Sequence, residues 1–245
     1  MVARGDPDRA LLADAVQQGR RLRRRMLDGS GGLVARWGAA DILYPRIAQV
    51  DGLSVELSGL LPNRDHNADL LAALSRVHGA SVSDAGASGP VVALFLADPF
   101  LRLPDVAGAL RRLGLRRVVN LPSVMQYQPA YALTLDGLGI GPQREFRTLA
   151  ALADAGFQVS TAVAHAQHVT QALAMRPEQV FLAPRFDCWF DPAMQETEFA
   201  GLCQAIRLAA GPARPPIRVL PPWPRPSDPA RAGSTSAQDT ARPSP

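Results

Sequence analysis

The sequence predicts an α/β fold of parallel strands joined by helical crossovers, on three observations. Short apolar runs alternate with longer stretches of helical periodicity along most of the chain. The clearest run, "GPVVALFLADPF" (89–100), is continuous rather than alternating, as a strand buried on both faces requires. Strand-like runs recur at 41–44, 91–97, 117–121, 157–163, 179–184 and 217–220, separated by helix-length segments. A chain of 245 residues suits one large domain, and no linker-like stretch divides residues 1–223.

In order, "PDRALLADAVQQGRRLRRRM" (7–26) has Leu11, Leu12, Ala15, Val16 and Leu22 near helical spacing, with Asp early and Arg late, which suits the helix dipole. A glycine-rich turn follows, then a short helix around Val34–Ala39 and a strand at 41–44. A second helix covers His66–Val77, with Pro62 and Asn63 near its start. The strand at 91–97 leads to a helix at Leu103–Leu113, and the strand in "GLRRVVNLP" to a long loop through Gly141. Then come the helix "QREFRTLAALADAG", the strand "FQVSTAVA", the helix "HVTQALAMRP" and the strand "EQVFLAPRF". The helix "PAMQETEFAGLCQAIRLAA" places Phe199, Leu202, Ile206 and Leu208 near one face, and "PPIRVLPPW" supplies a last short strand. Residues 224–245 hold nothing apolar larger than alanine and are expected to be a disordered tail. A seventh strand would have to come from 24–28, where arginines stand in place of the Val or Ile of a buried parallel strand.

Composition excludes several classes. Hydrophobic content of 47% with 20% charge is that of a soluble globular protein, and no apolar stretch approaches the roughly 18 residues of a membrane span. The N-terminus carries acids and lacks the apolar core of a signal peptide, so a cytoplasmic location is expected. Cys188 and Cys203 show neither a CxxC pattern nor a histidine at ligand spacing, which points to buried thiols rather than zinc or a disulfide. The chain has no lysine, and its Ala, Arg, Gly and Pro usage suggests a GC-rich genome. "RRLRRR" (20–25) could attract phosphates, but aromatics are scarce around it and no recognition helix follows, so a solvated helix face is expected and nucleic acid is not. His165 and His168 stand three apart and could share a metal, although no third ligand lies near them in sequence.

"RVVNLPSVMQY" (117–127) ends an apolar run on Asn-Leu-Pro-Ser-Val, and "DGLGIGPQREF" (136–146) takes a Gly-x-Gly-x-Gly turn into a helical pattern. At these residues the chain resembles the TIM-barrel family of phosphoenolpyruvate hydrolase-like proteins, related to the barrel half of a plant virus-resistance protein. "SGLLPNRDHN" (58–67) resembles a family segment AGLLPYGDAN, "ADPF" (97–100) a TDPF, "VVNLPSV" (118–124) a VQNFPTV, and "LDGLGIGPQREFRTLAALADAGF" a stretch LEETGMGYDLEVEMIRLAHEKGL. The resemblance runs over about residues 28–222 and implies a parallel (β/α)8 TIM-barrel-like fold, here incomplete, with the eighth strand missing or replaced. Three departures accompany it. A YNSGR segment becomes "YPRIAQVDGLSVELS" (44–58), leaving only Arg46 for the arginine; a PHMG-like turn becomes "PRFD" (184–187), with Arg185 at the histidine's place; and a CHGGP ending becomes "PPWPR" (221–225).

The resemblance implies working residues at the carboxyl ends of the strands, where Asp98, Asn120 and Ser123 would fall. Asp98 would hold a metal or contact substrate, or else form a turn with Pro99 and bond the backbone. Asn120 would orient a substrate oxygen or cap a loop. Glu145 would act as a base or simply favour a helix N-terminus, and Asp65 sits at a matching acid. The implied activity is a hydrolase or lyase type of reaction on a small phosphorylated or carboxylated substrate, phosphoenolpyruvate with Mg²⁺, and no organic cofactor is expected. In that reading Arg46 or Arg185 faces the anion, Asn120 and Ser123 bind substrate, Asp98 carries the metal, and Glu145 positions water or moves a proton. The alternative is a catalytically degenerate barrel that serves as a binding or regulatory module, or a truncated gene product. Open strand edges would favour a homo-oligomer.

Overall fold

The structure, a computed structural model, describes residues 24–27, 32–37, 40–45, 55–61, 64–78, 89–186, 192–210 and 215–219. Its strands are β1 (Arg24–Leu27), β2 (Gly32–Trp37), β3 (Ala40–Pro45), β4 (Val91–Leu94), β5 (Arg117–Asn120), β6 (Gln158–Val163), β7 (Val180–Leu182) and β8 (Ile217–Val219). They form one sheet in chain order. The helices are α1 (Val55–Leu60), α2 (His66–His78), α3 (Leu103–Arg112), α4 (Pro129–Gly137), α5 (Pro142–Asp154), α6 (Val169–Ala174) and α7 (Pro192–Ala210). From β3 to β8 all six strands run parallel and the sheet curls as half of a barrel, whereas β1 and β2 are antiparallel additions.

The amino-terminal part corrects two expectations. Residues 32–37 are a strand, not the start of a helix: Trp37 pairs with Ala40 and Gly32 with Pro45, so a tight antiparallel register outweighs a helical pattern read over six residues. Residues 24–26 belong to β1 rather than to the end of an opening helix, whose earlier residues lie outside the described ones. As an antiparallel edge strand, β1 has no need of burial on both faces, so its arginines are compatible with strand pairing. The expected long loop after β5 instead contains a 3₁₀ turn at Val124–Gln126 and the helix α4. That helix has no one-sided pattern to read: Ala132 and Leu135 are buried, whereas Leu133 is exposed.

Alternation along the strands divides the core. Val92, Leu94 and Val118 face the helices and pack with Leu74 of α2, Leu110 of α3 and Leu149 of α5. Burying each such leucine contributes about 2 kcal/mol. Residues of the other parity, among them Val91, Ala93 and Val119, join a second cluster that also takes in Leu182 of β7 and Phe199 and Ile206 of α7. Cys203 lies in that cluster, as expected of a buried thiol, whereas Cys188 and the tail at 224–245 lie outside the described residues. At the amino ends of the strands, Arg117 clamps Glu178 through two bonds of 2.9 and 2.7 Å and donates to the Gly89 carbonyl at 2.7 Å. Among the described residues no helix is long and apolar enough to cross a membrane.

Candidate functional site

The structure brings Asn120, Ser123 and Glu145 together just past the carboxyl end of β5. Asn120 is the last residue of that strand, and a cis Leu121–Pro122 peptide follows it. Ser123 then starts the 3₁₀ turn with a reciprocal cap: its Oγ accepts from the Met125 N–H at 3.1 Å, and its own N–H donates to Gln126 Oε1 at 3.0 Å. Gln126 Nε2 reaches across to the Pro184 carbonyl at 3.0 Å, fastening the turn to the end of β7. Glu145 enters from the first turn of α5, which Gly141 and Pro142 begin. Only glycine fits at 141, because a Cβ there would run into the backbone of Asp136.

Glu145 Oε2 accepts from Ser123 Oγ at 2.6 Å and from Asn120 Nδ2 at 2.9 Å, and its Oε1 accepts from the Val124 N–H at 2.9 Å. Asn120 Oδ1 accepts from the Ala162 N–H of β6 at 2.8 Å. The three side chains are at most 1% exposed. Asn120 shares the parity of Val118, so the cluster lies between the sheet and α5 rather than on the concave face. Burial pushes the Glu145 carboxyl up to about 7, and the bonds from Ser123, Asn120 and Val124 oppose the rise only in part. The group therefore changes charge near neutrality, the property a general acid or base requires.

Asp98 belongs to a different cluster. Its Oδ2 accepts from the His66 N–H at 3.0 Å, the Asn67 N–H at 3.4 Å and Asn67 Nδ2 at 3.2 Å, and its Oδ1 from the Phe100 N–H at 2.9 Å. The carboxylate thus caps α2 from the end of β4 and closes the turn at Pro99, the backbone-bonding role foreseen for it. Burial raises its pKa, the Phe100 N–H bond lowers it, and Asp65 raises it again. Both oxygens are committed to N–H donors, and among the described residues no three His, Cys, Asp or Glu side chains are grouped to hold a metal.

The remaining residues are dispersed. Arg185 pairs with Glu198 of α7 at 2.8 Å, and Arg46 lies outside the described residues. Asp65 accepts from the Ala68 N–H at 2.7 Å, an N-terminal cap. His165 Nε2 lies 2.9 Å from the Tyr127 carbonyl, and the His165 and His168 rings are 6.2 Å apart. Burial, and then the neighbouring His165, lower the His168 pKa. Sequence reasoning missed Gln126 and Asn67; the first was readable from the Ser-x-x-Gln spacing of a capping box. A cavity of about 570 Å³ lies at the opposite end of the sheet, lined by Leu173, Arg176, Glu178, Ala210 and Pro215, away from both clusters. Comparison with family models and with characterised proteins finds no match to this chain.

Proposed function

We propose that the chain is an enzyme of the TIM-barrel type that acts on a small phosphorylated or carboxylated substrate such as phosphoenolpyruvate. Glu145 is the group that holds or moves the proton. The observation that carries this reading is a carboxyl titrating at about 7 beside Ser123 and Asn120 at a strand's carboxyl end, where barrel enzymes keep their chemistry. Ser123 Oγ donates to Glu145 at 2.6 Å and accepts from the Met125 N–H, which holds the hydroxyl against the carboxyl.

A second reading has its own observation. Asn120, Ser123 and Glu145 are at most 1% exposed and hydrogen-bonded to one another, as in a latch that joins β5, β6 and α5. In that case the barrel is a catalytically inert binding or regulatory scaffold.

Thermal melts with and without millimolar phosphoenolpyruvate, followed by a phosphate-release assay, separate the two. The enzyme reading requires a raised midpoint, phosphate release, and loss of release in Glu145→Gln with binding retained. A cooperative melt indifferent to the ligand favours the scaffold.

A further inference from the structure

His165 and His168 stand just past the carboxyl end of β6, where a 3₁₀ turn at Ala166–His168 leads into α6. The His168 N–H donates to the His165 carbonyl at 3.1 Å, and side chains three apart eclipse in a 3₁₀ turn. Both rings therefore lie on one side of the turn, their centroids 6.2 Å apart. Each residue is only half-buried, so solvent reaches the pair, and it sits at the end of the sheet where parallel α/β proteins bind their ligands.

The free nitrogens decide what the pair can hold. His165 Nε2 lies 2.9 Å from the Tyr127 carbonyl, which can only accept, so Nε2 carries the proton and Nδ1 of the neutral ring is bare. Histidines that ligate metals are oriented in this way, through the other ring N–H on a carbonyl. The His168 ring lies 6.2 Å from that of Phe146, and its Nε2 is 3.2 Å from the Gln167 amide. When that amide turns its oxygen to accept from Nε2–H, Nδ1 of His168 is bare as well. Neither Nδ1 has a hydrogen-bond partner among the described residues. Burial, and then His165, lower the His168 pKa against the opposing pull of Asp136, so the ring keeps a lone pair at neutral pH. Two imidazoles on one tetrahedral ion, with metal–nitrogen distances of about 2.1 Å, hold their centroids about 5 Å apart, so the rings need close by only about 1 Å.

We propose that His165 and His168 bind a divalent transition-metal ion, Zn²⁺ or its chemical neighbours Ni²⁺ and Cu²⁺, through their two Nδ1 atoms, with water filling the other positions. Imidazole nitrogen favours these ions over Mg²⁺, and Asp136 adds negative potential beside the pair. Two protein ligands leave open positions on the ion, where a small oxygen ligand can coordinate. The inference does not rest on the reading above.

Calorimetric titration of the full chain with Zn²⁺ slightly above neutral pH, with nitrogen NMR spectra of the imidazole rings, tests it. The wild type binds one ion per chain, and the Nδ1 resonances of His165 and His168 shift while those of the buried His66 do not. His165→Gln and His168→Gln each weaken binding by at least about tenfold and leave the metal-free melting midpoint nearly unchanged, because both rings are half-buried. His78→Gln binds as the wild type does. Failure of the wild type to bind millimolar Zn²⁺ overturns the proposal, as does binding that survives in both variants or an excess of Mg²⁺ that displaces the ion. Should either variant unfold, the wild-type ring spectra still decide: a bound ion that leaves both Nδ1 resonances in place overturns the proposal. Zn²⁺ uptake without any response to phosphoenolpyruvate keeps this inference and removes the earlier reading, and the reverse result keeps only the earlier one.

Discussion

Glu145→Gln should flatten the pH dependence of stability. In the folded chain the Glu145 carboxyl titrates at about 7 instead of its ordinary 4.5, because burial penalises the charged form more than its three hydrogen bonds favour it. A carboxyl whose pKa is raised by folding stabilises the fold fully below 4.5, and that contribution is lost as pH rises through about 7. At about 1.4 kcal/mol per pH unit the loss amounts to about 3 kcal/mol, spread over the window between those two values. Glutamine keeps the shape of the side chain and cannot titrate. Asp98 is also raised by burial and adds its own decline from a lower pH, so the difference between wild type and variant isolates Glu145. Urea unfolding of both proteins at pH 5, 6, 7 and 8 measures it. The wild type should lose about 2–3 kcal/mol relative to Glu145→Gln across this range. Parallel pH profiles would show that Glu145 is not held neutral by burial, and would remove the basis for its proton-handling role.

Three further outcomes follow from the same contacts. Asp98→Ala strips the acceptor from the His66 and Asn67 N–H groups and should cost about 2–3 kcal/mol, with faster amide exchange at those two residues by NMR; unchanged exchange refutes the capping role. Gly141→Ala forces a Cβ into the Asp136 backbone and should lower the melting midpoint by several degrees, whereas an unchanged midpoint would mean that the α4–α5 junction yields easily. Arg117→Met removes the clamp on Glu178 and the bond to Gly89; because Glu178 is about one-third exposed, the cost should be only about 1–2 kcal/mol, measured by urea unfolding, and a loss above about 4 kcal/mol would contradict that screening.

The sequence by itself determined the parallel part of the fold. Continuous apolar runs mark β4, β5 and β6, and the strongly periodic helices came out nearly to the residue, Pro192–Ala210 among them, because burial on two faces or along one stripe leaves a local pattern. It also singled out Asn120, Ser123 and Glu145 as candidates, and foresaw that Asp98 could simply bond the backbone. Only tertiary structure decided the rest. Residues 32–37 became a strand because partners stand on both sides, which six residues cannot announce by their own periodicity. Asn120 and Glu145 meet because strand parity turns the amide toward α5 and Gly141 lets that helix begin close to Asp136. Whether a carboxylate is a spent cap, as at Asp98, or a group titrating near neutrality, as at Glu145, depends on how many donors surround it and how completely water is excluded. Both are properties of the packed chain, set by residues far apart in sequence.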